Sequence, residues 1–212
     1  MEWYRRKSWK KKDKEEFFNH LNRARKYNRA QYLKVQAIEL IDTNDPKLLE
    51  IAKSLLVQIL EEYSEENNEI SSVLNSLGDI YRKQTNYEKA LNYYKKSIDF
   101  EEMFPNVRTD SYLKYSELII KSKQTDKYMF VKELILKHFD SLIFPVEKYK
   151  TASILSIINK EEGNIESAAI YKNFAEENAN KENSGFRYHK YLGVVNKRDK
   201  WLDKLVKSKK NQ

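Results

Sequence analysis

The chain has no cysteine among its 212 residues. Without thiols it can form no disulfide, no cysteine-based zinc site and no thiol nucleophile. It also has few chain-breaking residues: four glycines and three prolines, where average usage would give about 15 and about 11. Because strands need turns and turns draw on these two residues, this scarcity favours a fold made entirely of helices.

Long apolar runs are missing as well. Apolar residues make up 40% of the chain, but no run approaches the ~20 residues that a transmembrane helix needs. The basic start MEWYRRKSWKKK is not followed by the apolar segment of a secretory signal. Glu15 and Glu16 come soon after it and weigh against a mitochondrial presequence. We therefore expect no membrane span and a cytoplasmic location.

Charge is distributed unevenly along the chain. The net charge is +8 overall, with +8 in residues 1–34, −7 in residues 35–180 and +7 in residues 181–212. Both ends are basic and the centre is acidic. A solvated Lys-rich surface and a surface that attracts an anionic partner both account for this pattern.

A two-helix unit is clearest in LGDIYRKQTNYEKALNYYKKSI, residues 77–98. We predict a first helix, helix A, over 70–83 and a second, helix B, over 87–101, with Asn86 capping the start of helix B. Small residues, Gly78 and Ala90, fall where the two helices must touch, because packed helix axes lie only about 8–10 Å apart.

Similar units precede and follow this one. Apolar residues recur at helical spacing in each, and a turn containing Pro46 separates the helices of the first unit. The predicted helix pairs are 30–41 with 48–63, 111–122 with 130–139, and 148–164 with 165–179. The small residues of helix A are Ala37, Gly78, Ser116 and Ser156, and the matching positions of helix B hold Ala52, Ala90, Val131 and Ala168.

This pattern resembles the tetratricopeptide repeat, a helix–turn–helix repeat of about 34 residues. The resemblance spans about residues 30–179, and its best unit carries Leu77, Gly78, Tyr81, Ala90, Tyr94 and Ser97 on the family's positions. It implies an all-α, right-handed α–α superhelix, or solenoid, of about four hairpins over residues 30–180. Residues 1–29 and 181–212 would then supply capping helices, the latter from FRYHKYLGVV and DKWLDKLV, with KSKKNQ frayed at the end.

Catalytic chemistry finds little support in the sequence. The three histidines, His20, His138 and His189, are scattered, and no paired histidines or glycine-rich phosphate loop occur. We therefore expect no enzyme, no cofactor and no metal; an active site centred on His189 is the third hypothesis.

The resemblance instead implies a protein or peptide partner on the concave face, which helix A lines in this family. The chain would then be an adaptor, a chaperone or an immunity-type protein, of undetermined oligomeric state. The residues carried over to that face are Gln31, Lys34, Ser72, Asn75, Asp79, Arg82, Lys83, Glu117, Lys121 and Lys150.

The alternative hypothesis is a nucleic-acid- or ribosome-associated protein that binds phosphates through its basic ends. Cations interleaved with aromatic rings can neutralise phosphates and stack on bases, but the same tryptophans can instead bury against the first helix. The residues concerned are Trp3, Arg5, Arg6, Lys7, Trp9, Lys10, Lys11, Lys12, Arg187 and His189.

Overall fold

The computed structural model describes residues 2–208 and is all-helical there, with no strand. In that range no helix is both long and apolar enough to cross a membrane. The chain forms two compact units, unit 1 up to Ser111 and unit 2 from Tyr112 onward. The helices are α1 (Lys11–Arg23), α2 (Lys26–Ile41), α3 (Pro46–Glu62), α4 (Asn67–Lys83), α5 (Tyr87–Met103), α6 (Ser111–Lys121), α7 (Tyr128–Phe139), α8 (Pro145–Glu161), α9 (Ile165–Ala179) and α10 (Lys200–Lys207), with a 3-10 turn at Thr125–Lys127.

Helices pack against their neighbours in chain order within each unit. In unit 1, α2 packs against α3, α3 against α4 and α4 against α5, while Phe17 and Leu21 of α1 join the core of α2 and α3. In unit 2, α7, α9 and α10 all pack against α8. There α6 stacks Tyr112 on His138 of α7, with ring centroids 4.2 Å apart. The eight helices of the predicted pairs are all present, and their ends lie within a few residues of prediction.

Each helix pair turns through one residue in the left-handed region. These residues are Asn44 (φ 57°), Thr85 (φ 59°), Lys123 (φ 54°) and Gly163 (φ 85°). In the last three turns the N–H of the following residue donates to the carbonyl five residues earlier, the bond of the Schellman motif that satisfies a free carbonyl at a helix end. The predicted caps are confirmed, since Asn86 accepts from the backbone N–H of Lys89 and Pro46 occupies the first turn of α3.

Gly78 lies directly against the ring of Tyr94. A Cβ added at Gly78 would lie 2.4 Å from Cε1 of Tyr94, far inside van der Waals contact. The predicted reason for a small residue at this position is therefore confirmed. The helices α8 and α9 also approach each other closely. The Ser156 hydroxyl of α8 donates directly to the Ala168 carbonyl of α9 at 2.8 Å.

The ends of the chain differ from the sequence prediction. The N-terminal capping helix expected within residues 1–29 is α1, which ends at Arg23 because Ala24 and Arg25 are extended, and α2 begins at Lys26 instead of at residue 30. FRYHKYLGVV forms no helix, since Gly185 (φ 85°) turns the backbone just before it and Gly193 (φ 69°) turns the backbone within it. Between Ala179 and Ser208 only α10 is helical, and the frayed end expected for KSKKNQ lies, from residue 209 on, outside the described residues.

Substituting Gly78→Ala should destabilise unit 1 by about 1–3 kcal/mol. The added methyl group must displace the buried Tyr94 ring, and this overpacking exceeds the gain in helix propensity. Urea unfolding would measure the change, with Asn92→Ala on the exposed side of α5 as the control, expected within about 0.5 kcal/mol of the unsubstituted chain. An unchanged free energy of unfolding in the Gly78 variant would contradict the close approach of α4 and α5.

Candidate functional site

In unit 1, several of the residues that the sequence predicts to bind a partner form contacts with other residues of the same unit. The Lys34 ammonium forms an ion pair with Glu69, 2.5 Å from Nζ to Oε2, which links α2 to α4. Asn75 is buried and its amide donates to Asp110 at 2.9 Å. These two side chains therefore help to hold unit 1 together, whatever else they contact.

Asp79 and its neighbours form a second internal cluster. The Tyr94 hydroxyl donates to Asp79 Oδ1 at 2.7 Å. Burial and then the charge of Asp79 raise the pKa of Tyr94 well above its usual value, against the opposing influence of Arg82, so the hydroxyl stays protonated. Lys83 donates to the Asn44 side chain. The remaining predicted residues of α2 and α4 are exposed or half-buried: Gln31 and Ser72.

In unit 2 the predicted residues of α6 and α8 join each other. Lys150 Nζ lies 2.7 Å from Glu117 Oε1 and 3.4 Å from Asp199 Oδ2. Burial lowers the pKa of Lys150, but the two carboxylates outweigh burial and raise the pKa above its ordinary value. Lys150 therefore connects α6 and α8, the predicted A helices of this unit, to Asp199, which immediately precedes α10.

The side chain of Arg198 and the hydroxyl of Tyr149 fasten α10 to α8 and α9. The Tyr149 hydroxyl donates to Asp203 Oδ1 at 2.9 Å and accepts the backbone N–H of Asp199 at 3.2 Å. Arg198 donates to both carboxylate oxygens of Glu176, at 2.7 and 2.6 Å, and to both of Asp203, at 2.8 and 3.0 Å. Bidentate charged pairs of this kind are stronger than neutral hydrogen bonds and fix orientation.

The C-terminal end of α10 is held by Lys160. Its ammonium donates to the carbonyl oxygens of Leu205 and Ser208, at 2.6 and 2.8 Å, and so satisfies groups left free at the end of a helix. Between the two attachments, Leu202 is completely buried. We infer that α10 is an integral part of unit 2.

A groove of about 630 Å³ opens where α10 meets α6 and α8. Its size falls within the range of ligand pockets in proteins. Ile120, Ile157, Leu205 and the ring of Trp201 supply its apolar lining. Its polar and charged lining consists of Lys121, Lys123, Thr125, Tyr128, Glu161, Lys204 and Ser208.

Three ammonium groups and one carboxylate line this groove, which makes it electropositive. Lys121 Nζ lies 5.9 Å from the centroid of the Trp201 ring, within reach of a cation–π interaction. Tyr128 is buried, and burial followed by the charge of Glu161 raises its pKa, so its hydroxyl remains neutral. Of the predicted partner-binding residues only Lys121 lines the groove. The apolar residues of DKWLDKLV, interpreted above as a capping helix, are the sequence signal for the lining residues Trp201 and Leu205.

The basic N-terminal segment packs on α1 and α2. The Trp3 ring lies 4.8 Å from Tyr32 and 5.4 Å from Phe17, centroid to centroid, and the Trp9 ring lies 5.2 Å from Phe17. The buried Gln36 amide accepts from the backbone N–H of Arg6 at 3.0 Å and donates to its carbonyl at 2.7 Å. Both tryptophans thus pack against rings of unit 1.

Three of the basic-end residues form ion pairs within unit 1. Arg5 pairs with Glu2 and Glu39, Arg6 with Asp13 and Glu16, and the exposed Lys12 with Glu16 at 3.8 Å. The exposed cationic and imidazole side chains are Lys7, Lys10, Lys11, Lys12, Arg187 and His189.

The histidines lie in different settings. His20 stacks on Trp3 and His138 on Tyr112, while His189 is exposed. Within residues 2–208 no group of three acidic, cysteine or histidine side chains is placed to hold a metal ion.

Replacing Arg198 with glutamine should loosen α10. The neutral glutamine side chain cannot hold Glu176 and Asp203 together. Hydrogen exchange of the backbone N–H groups in residues 200–207 should therefore accelerate roughly five- to thirtyfold, which corresponds to a loss of about 1–2 kcal/mol in the free energy of local opening. Exchange in α8 should stay slow. Lys197→Gln, an exposed neighbour, serves as the control, and equal protection of α10 in both variants would contradict this attachment.

Comparison with known proteins identifies no relative. No family model matches the chain, and no curated protein or solved structure matches it.

Proposed function

We propose that the chain is a non-enzymatic binding protein, a tetratricopeptide-like helical scaffold that holds a peptide segment of a protein partner. The observation that carries this proposal is the groove between α6, α8 and α10, with its apolar lining and its three lysines. The recurring left-handed turn of the four helix pairs supports the repeat architecture. A cytoplasmic location belongs to the same proposal.

The lining determines the chemistry of the peptide. Ile120, Ile157 and Leu205 favour an apolar side chain, because covering them removes apolar surface from water. The side chains of Lys123 and Lys204 are exposed to solvent. An acidic side chain beside the apolar one would therefore complement the groove, and such charge complementarity accelerates association and rejects basic competitors.

The helix-A residues of unit 1 would add specificity. Gln31, Ser72 and Lys83 are accessible on α2 and α4, and their polar groups suit a partner larger than one short peptide. Other predicted residues of these helices already have partners within the unit; Lys34, for example, forms an ion pair with Glu69. We therefore assign the main anchoring role to the groove and a smaller role to these residues.

The double substitution Lys121→Glu and Lys204→Glu tests the proposal. Two attractive contacts become repulsive, so the affinity for the partner should fall at least about tenfold. The partner is first identified by affinity capture from the native lysate, with nuclease and at two salt concentrations, and its affinity is then measured by calorimetry. The matched control is Lys47→Glu with Lys96→Glu, two exposed lysines of unit 1.

The variants separate binding from folding. Helicity and melting temperature should be the same in both double variants, since all four side chains are at least partly exposed. A partner that binds the groove variant as tightly as the control would refute the groove as the binding site. If only nucleic acid is retained, and nuclease removes it, the protein-binding function itself is wrong.

A further inference from the structure

Residues 184–192 form a closed loop, here named the 184–192 loop. Its ends meet where the Ser184 N–H donates to the Lys190 carbonyl at 2.7 Å, and the Ser184 hydroxyl donates to the His189 carbonyl at 2.9 Å. Leu192 N–H donates to the same His189 carbonyl at 3.0 Å, and Phe186 N–H donates back to the Ser184 hydroxyl at 3.3 Å. Its own backbone bonds therefore give the loop a defined shape.

The loop is also anchored to the start of α8. The Phe186 ring lies 5.8 Å from the ring of Phe144, centroid to centroid. Immediately after the loop, Gly193 accepts the N–H of Val146 at 2.8 Å, and a Cβ at Gly193 would lie 2.5 Å from Phe144 Cβ. Only glycine allows this contact, so the loop is held at the start of α8 both through Phe186 and immediately after its last residue.

This fixed loop presents aromatic rings to solvent. Tyr188 is 80% exposed, Tyr191 77% and Leu192 52%. Of the thirteen large apolar side chains exposed in residues 2–208, four lie within residues 186–192. Tyr188 and Tyr191 make little packing contact with the rest of unit 2, so the fold does not account for their presence at these positions.

Cations alternate with the rings. Arg187, His189 and Lys190 are all exposed, and the Arg187 guanidinium lies 5.2 Å from the centroid of the Tyr188 ring. The order along the loop is aromatic, cation, aromatic, imidazole, cation, aromatic. Residues 181–212 have a net charge of +7, so the surrounding segment is basic as well.

We propose that the 184–192 loop binds single-stranded nucleic acid, with Tyr188 and Tyr191 stacking on bases and Arg187 and Lys190 contacting phosphates. A single strand alternates flat bases with phosphates, which matches the alternation of rings and cations in the loop. Stacking on aromatic rings tolerates every base, so the site should have little sequence preference. A duplex hides its base faces and should bind more weakly. The site is separate from the groove and independent of the proposed protein partner.

The experiment measures fluorescence anisotropy of a labelled twenty-residue oligothymidylate titrated with the full chain. Tyr188→Ala with Tyr191→Ala should weaken binding at least about tenfold, because both stacking platforms are lost. Tyr188→Trp with Tyr191→Trp should retain affinity. The matched control is Tyr27→Ala with Tyr87→Ala, two exposed tyrosines of unit 1, and this variant should bind like the unsubstituted chain.

The salt dependence of oligonucleotide binding tests the phosphate contacts proposed for Arg187 and Lys190. Arg187→Gln with Lys190→Gln should lower affinity and reduce the slope of log K against log salt by about 1.4, or about 0.7 per phosphate contact on a single strand. The melting temperature should be unchanged in every variant, since the altered side chains are exposed. The groove variant Lys121→Glu with Lys204→Glu should keep most of its affinity for the oligonucleotide, so failure of one proposal is distinguishable from failure of the other.

Three results would overturn this proposal. The first is equal affinity for the Tyr188/Tyr191 variant and its unit 1 control. The second is duplex bound as tightly as single strand, which would indicate a purely electrostatic contact. The third is no binding to the oligonucleotide together with binding to phosphatidylserine vesicles, which would assign the loop to an anionic membrane surface.

Discussion

Close approach of paired helices is the constraint on which the fold depends. Two helices can come this near only where the residues between them are small. Gly78 therefore faces the Tyr94 ring with no room for a methyl group, and Ser156 of α8 donates directly to a backbone carbonyl of α9. Each helix pair also needs a tight turn between its two helices. In all four pairs a residue with a left-handed backbone conformation provides this turn.

The groove follows from the environment of α8. This helix is buried almost continuously from Tyr149 to Asn159, so it has to be covered on several sides. The helices α7 and α9 cover two of them, and α10 covers a third because Tyr149 and Lys160 fasten its two ends. Where α10 meets α6 and α8 the groove remains, and its three lysines make it electropositive.

Local features of the fold were predictable and long-range ones were not. Apolar spacing and caps such as Asn86 depend on neighbouring residues, so the helices and the role of Gly78 could be derived from the sequence. Thr85 and Lys123 turn the chain as Gly163 does, but nothing in a threonine or lysine indicates a left-handed backbone. The groove depends on contacts such as Tyr149 to Asp203, 54 residues apart, which helical periodicity does not reveal.

Hydrogen exchange of the full chain, alone and with its captured protein partner, tests the central claim most directly. If the groove holds the partner, amide exchange should slow at the end of α6, through residues 123–128 and in α10, because the peptide covers these segments and stabilises the attachment of α10. Slower exchange confined to α2 and α4 would place the partner on unit 1 and contradict the account.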